Sequence, residues 1–163
     1  MWKLLDGVES ALALFCLSVC VLAVFVGAVA RAMGAPIPMA PEIAQLMLIW
    51  TVMFGADLVM KRGDHIRISA IPDALSPHWR RVLILVSLAG MLPFLGYLIW
   101  LGIDLAASNW AREMGTSGLS YGWVTLALPV GATLMTLSLL RRLFTHGLLY
   151  TIEPEVQSGE YPL

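Results

Sequence analysis

SALALFCLSVCVLAVFVGAVA, residues 10–30, carries no charged side chain, and neither do residues 82–103 or 114–140. A helix needs about 20 mostly apolar residues to cross the hydrocarbon core of a bilayer. With a fourth and weaker stretch from Pro41 to Met60, these runs predict an all-α integral membrane protein with four transmembrane helices, at about 9–31, 41–60, 78–107 and 118–141. The runs are continuously apolar rather than alternating, and unpaired backbone groups are too costly in lipid for an open structure, so helices are expected in preference to a barrel. The chain has 163 residues, 59% hydrophobic and 13% charged. Four spans use roughly half of it. A single membrane domain over 1–150 is therefore expected, followed by a flexible acidic tail over 151–163, with no room for a soluble catalytic domain. The first run is too long for a signal-peptide core and has no small-residue cleavage site ahead of a soluble domain, so it reads as a retained helix.

The placement of positive charge predicts the orientation. Lys3 precedes the first run; Lys61, Arg62, Arg67, Arg80 and Arg81 lie between the second and third; Arg141 and Arg142 follow the fourth. Only Arg31 and Arg112 fall on the opposite side. Eight against two places both termini and the middle loop in the cytoplasm. That basic loop also suits anionic lipid headgroups. Proline punctuates the chain in informative places. Pro36 and Pro38 argue for an extended connection, Pro41 and Glu42 for the first turn of the second helix, and Ser76-Pro77 for the start of the third.

At helical spacing the first span presents small residues on one stripe: Ala13, Cys16, Cys20, Ala23, Gly27 and Ala30. Steps of three and four are those of a left-handed helix seam. In lipid, close approach of small residues is what holds helices together, so this face should meet another helix of the chain or of a partner. Cys16 and Cys20 read as small packing residues. On the second span Glu42, Gln45, Ile49, Met53, Ala56 and Met60 share a face, with Asp57 at its edge. Polar residues in a span normally face protein or water, although Glu42 and Asp57 lie near opposite ends and can also reach headgroups. Asp57 and Lys61, four apart, are placed to pair. Tyr121, Thr125, Pro129, Ala132 and Thr136 form a packing stripe on the fourth span, whose hydroxyls can bond across to a neighbour or back to their own helix.

Several chemistries find no residues. His65, His78 and His146 all fall in or beside loops, whereas haem held in a helix bundle needs facing axial histidines within it. No Gly-rich phosphate loop follows a strand. No acid stands at mid-span, where a proton-coupled exporter would carry one. Neither enzymatic activity nor a cofactor, metal or nucleic-acid partner is expected.

Glu42, Trp50 and Phe54-Gly55-Ala56 are followed by basic residues and then by Gly63-Asp64-His65-Ile66-Arg67-Ile68. Together with Trp123, Leu128-Pro129, Gly131 and Met135 in the last span, this order resembles the small membrane subunit of tripartite ATP-independent periplasmic (TRAP) transporters, the DctQ-like family. The resemblance implies a multi-pass protein of the bacterial inner membrane. It implies a large multi-span partner carrying the substrate and sodium sites, and a periplasmic protein delivering an organic acid. The small subunit would be non-catalytic and brace the large one. Glu42, Gln45, Trp50, Met53, Gly55, Ala56, Gly63, His65, Gly27 and Ala23 are then the candidates for partner contact, with Lys61, Arg62, Arg67, Arg80, Arg81, Arg141 and Arg142 setting topology. His65 would orient the loop, touch the partner, or stand in solvent. The rival reading is a small self-associating channel or exporter whose pore is lined by Glu42, Gln45 and Asp57.

Overall fold

A computed structural model of the protein describes residues 2–62 and 77–146. The expectations for Gly63, His65, Arg67 and the 151–163 tail lie outside the described residues, as do the side chains of Arg62, Arg80 and Arg81. Among the described residues there are four helices, α1 (Trp2–Ala32), α2 (Met39–Arg62), α3 (Pro77–Ser108) and α4 (Gly122–His146). Each contains a segment long and apolar enough to cross a membrane.

The last helix runs on to His146, beyond the expected 141, and two further boundaries differ from those read in the sequence for physical reasons. α1 begins well before the uncharged run, because Asp6 and Glu9 find partners that let them continue the helix. α4 begins four residues later than expected, because 118–121 belong to a tight loop. α1 ends in a Schellman-type turn: Gly34 takes a φ of 78°, its amide bonds Arg31 O at 3.1 Å, and the Ala35 amide bonds Ala30 O at 3.0 Å. Those bonds satisfy carbonyls that the helix end would otherwise leave open, in a conformation that suits a residue without Cβ. The helices continue through Pro93 and Pro129.

α1 packs on α2, α2 on α4, and α4 on α3. The helices thus run in the order α1, α2, α4, α3, and α1 and α3 make no extensive contact with each other. The small-residue stripe of α1 is its packed face. Cys16 and Cys20 are buried free thiols and Ala13, Ala23, Gly27 and Ala30 are half-buried, while Phe15, Val21, Leu22 and Phe25 face outward. Ala23 and Gly27, put forward for partner contact, thus lie on the side of α1 that the chain itself covers.

Close approach recurs at each interface. A Cβ on Gly27 would stand 2.9 Å from that of Ala40, one on Gly131 2.7 Å from Met53 Sδ, and one on Gly102 2.9 Å from Pro129 Cδ. With lipid tails as apolar as leucine, such tight packing holds helices together where the hydrophobic effect cannot. Met60, Ile84, Leu88 and Leu139 add a buried cluster joining α2, α3 and α4. α4 lies innermost, with Ala127 and Ala132 essentially fully buried.

Gly27→Leu should force α1 and α2 apart at Ala40 and cost about 1–3 kcal/mol, the usual range for overpacking. A lowered unfolding temperature of the purified chain in detergent checks this. Gly55→Ala is the control: nothing lies within 4 Å of a Cβ there, so stability should hold or rise by up to about 1 kcal/mol through helix propensity.

Candidate functional site

Six charged side chains gather at one end of the helices, where α1 starts and α2 and α4 finish. Lys61 Nζ stands 2.8 Å from Asp57 Oδ2 and 3.4 Å from Asp6 Oδ1, and it donates a hydrogen bond to Glu9 Oε2. Asp57 lies one turn earlier on α2, the expected i,i+4 pairing. Asp6 and Glu9 lie one turn apart on α1, so both reach the same ammonium. Arg141 of α4 comes within 3.7 Å of Asp6 Oδ1. Arg142 NH1 donates to Met60 O at 2.8 Å, so a cation meets the carbonyls at the negative end of the α2 dipole.

Burial makes this cluster consequential. Asp57 is 0% exposed and Glu9 6%. Of the two positions open to Asp57 from the sequence, protein or headgroup, the chain takes the first. Three carboxylates share one lysine, and Glu9 Oε1 and Asp57 Oδ1 have no hydrogen-bond partner. Charges out of water are tolerated only when paired, so Lys61 is the group on which the others depend. Sequence reasoning passed over Asp6 and Glu9, taking from the residues ahead of the apolar run only the charge of Lys3. A signal was present: Asp6, Glu9, Ala13 and Cys16 continue the small-residue stripe at steps of three, four and three.

The opposite end is closed by another acid. Glu42 Oε1 accepts from the Thr116 amide at 2.8 Å and from Thr116 Oγ1 at 3.2 Å, and Oε2 accepts from the Ser117 amide at 3.0 Å. The loop that cradles it is a small hairpin. Tyr121 N bonds Arg112 O at 2.7 Å, Met114 N bonds Leu119 O at 2.6 Å, and Arg112 lies over the Tyr121 ring. Gly115, at a φ of 59°, passes so close to Glu42 that a Cβ would meet its carboxylate. Glu42 was put forward for partner contact, but here its oxygens are engaged within the chain.

The other second-span candidates divide. Trp50 Nε1 donates to Trp123 O at 3.1 Å and its ring lies 5.5 Å from Phe54. Met53 packs under Gly131, and Ala56 is half-buried. Gln45 is exposed, and Gly55 has open space beside it. Between the two ends the hydroxyls turn back on their own helices. Ser18 bonds Leu14 O at 2.8 Å, Thr51 Met47 O at 2.8 Å, Thr133 Pro129 O at 2.7 Å and Thr136 Ala132 O at 2.7 Å. What the arrangement does is fix helices to one another at two levels, with a middle that offers little to a solute.

Residues 20–146 match the family described as tripartite ATP-independent periplasmic transporters, DctQ component. Among similar proteins is the sialic acid TRAP transporter small permease protein SiaQ of Vibrio cholerae, 31% identical over 103 residues, which are 63% of this chain and 60% of the relative. Another is the C4-dicarboxylate TRAP transporter small permease protein DctQ of Rhodobacter capsulatus, 27% identical over 113 residues, 68% of this chain and 50% of the relative. The matched part of the chain thus spans between half and three-fifths of the length of these relatives.

Lys61→Met should cost about 3–5 kcal/mol by leaving buried carboxylates without their counter-charge. Asp6→Asn, at a more exposed position, should cost less than about 1 kcal/mol. Thermal unfolding of the two variants side by side reads the difference. At the other end, Glu42→Ala should release the loop: amide hydrogen exchange at Thr116 and Ser117 should accelerate while exchange within α2 and α4 stays slow.

Proposed function

The chain belongs to the DctQ-component family of TRAP transporters, and on that premise we propose that it braces a much larger membrane subunit that carries the substrate. The family consists of transporter subunits rather than enzymes, and with its four spans the chain is a multi-pass protein of the bacterial inner membrane. In the proposed role the basic end lies at the cytoplasmic face, in line with the eight-to-two distribution of Lys and Arg. The row α1, α2, α4, α3 enlarges the static part of the complex, so that a moving domain of the partner has a fixed support.

The observation that carries this reading is the disposition of polar groups. Mid-membrane hydroxyls of Thr51, Thr133 and Thr136 are bonded to their own helices, and the acids at the two ends, half-buried Glu42 and buried Asp57, are held by the chain's own amides and ammonium. A transport path needs polar groups presented to the solute along its length. A brace needs helices that cannot slide, and clamps at both ends supply that. We extend the proposal to the substrate class: the relatives are named for sialic acid and for C4-dicarboxylates, so the complex would import an organic acid. A periplasmic binding protein would deliver the acid, and sodium would drive its uptake.

Tagged in native membranes and extracted in mild detergent, the chain should bring down a much larger multi-span protein in stoichiometric amount. Reconstituted alone in liposomes it should move no organic acid, whereas the complete complex with its binding protein and a sodium gradient should. Solute flux through the chain alone, or recovery only as a homo-oligomer, overturns the reading.

A further inference from the structure

One face of α4 is only partly covered, with Thr133 and Leu137 exposed and Leu126, Val130 and Arg141 half-buried, and it is not uniform. Leu126, Val130, Thr133, Leu137 and Arg141 recur along it at steps of three and four, the spacing of a single helical face. Two cavities open on this face and both are lined by Leu134. The first, about 260 Å³, is walled by Ile103 of α3 with Leu126, Pro129, Val130 and Thr133, and is apolar. The second, about 160 Å³, is walled by Asp6 and Glu9 of α1 and Lys61 of α2, with Leu137, Ser138 and Arg141. From Leu126 to Arg141 the stripe is roughly 22 Å long, most of a membrane thickness.

We infer that this stripe seats a membrane-spanning helix of the large subunit, with a lysine or arginine near its end entering the charged cavity beside Asp6 and Glu9. The inference rests on the bracing role proposed above and says which surface performs it. Charge complementarity argues for the basic residue. Asp6, Glu9 and Asp57 share the Lys61 ammonium, with Arg141 beside Asp6. Glu9 lines the cavity, is 6% exposed, and has an oxygen without a hydrogen-bond partner. A partner cation at this position gives that oxygen a charged donor, which a lipid acyl chain or an apolar helix does not.

Shape argues for a helix. Helices associate in lipid through close packing and polar contacts, and this stripe offers hollows on either side of Leu134 with the short Thr133 beside them. The outward faces of α1 and α3 instead project Phe15, Phe25, Phe94 and Trp100. Such bulky faces suit acyl chains.

The test is made on the complex in native membranes, with the tagged chain co-expressed with the large subunit. A photo-crosslinking p-benzoylphenylalanine at Leu137 should label the large subunit on a peptide containing Lys or Arg, while the same probe at Phe25 or Phe94 should not. Asp6→Asn should lower the recovered large subunit about tenfold while leaving the chain's own stability nearly unchanged. Thr133→Trp, which fills the stripe without touching a charge, should do the same. Exchanging the mapped partner cation for Gln should reproduce the loss. Labelling of the large subunit only from Phe25 or Phe94 overturns the inference, as does labelling from Leu137 confined to lipid or to a second copy of this chain. So does undiminished assembly of both variants. If the wild-type chain recovers no large subunit at all, it is the bracing role that fails, and the inference falls with it.

Discussion

The Lys61 ammonium is the contact on which the arrangement of helices depends. Among the described residues it is the one cation that reaches Asp6, Glu9 and Asp57 together, and those acids lie on two different helices. In a soluble protein an ion cluster of this kind is weak evidence for stability, since apolar replacements of equal volume do as well or better. In a bilayer the comparison changes. Apolar surface gives helices no reason to prefer one another over lipid, so the register of α1 against α2 has to come from packing and from directional charge. The cluster also sets a length scale. With Glu9 tied to Lys61 at one end and Gly27 against Ala40 at the other, α1 can neither slide nor rotate without breaking one contact.

The order α1, α2, α4, α3 has a consequence for how the molecule meets its surroundings. In a closed four-helix bundle each helix turns its polar or small face to a common centre. An open row has no centre, and each helix except those at the ends carries two packed edges and two broad faces. Much of the apolar surface is therefore outward, including Phe15, Phe25, Phe94 and Trp100. For a protein built to move a solute alone, such a row is a poor enclosure. For a support it is economical, because contact area with lipid and with a partner is large relative to chain length.

The sequence disclosed the spans, the small-residue face of α1 and the Asp57–Lys61 pair, because each has a local signature: a run of apolar residues, a three-and-four spacing, an i,i+4 interval. It disclosed less wherever the signature was non-local. Asp6 and Glu9 stand ahead of an uncharged run and look like residues at the water interface until α2 and α4 bring Lys61 and Arg141 to them. Glu42 opens a helix and is adequately explained by the dipole of α2; its bonds to Thr116 and Ser117 span more than seventy residues of chain. The short hairpin around Gly115 and Gly118 was hidden because its second half overlapped what read as the start of the last span. Helix adjacency was equally hidden, since apolar faces of similar composition do not reveal which of them pack on protein.

The two polar ends are also not equivalent, and the difference bears on function. Both oxygens of Glu42 are engaged, each accepting from at least one amide of the hairpin. The basic end is unfinished, with buried carboxylate oxygens lacking donors and a cavity beside them. A membrane protein that was complete by itself would be expected to close both ends alike, since unsatisfied polar groups cost more in lipid than in water. The asymmetry therefore assigns the two ends different tasks. In the proposed role the hairpin end holds the chain to itself, and the basic end offers its unpartnered carboxylate oxygens to a donor on the large subunit.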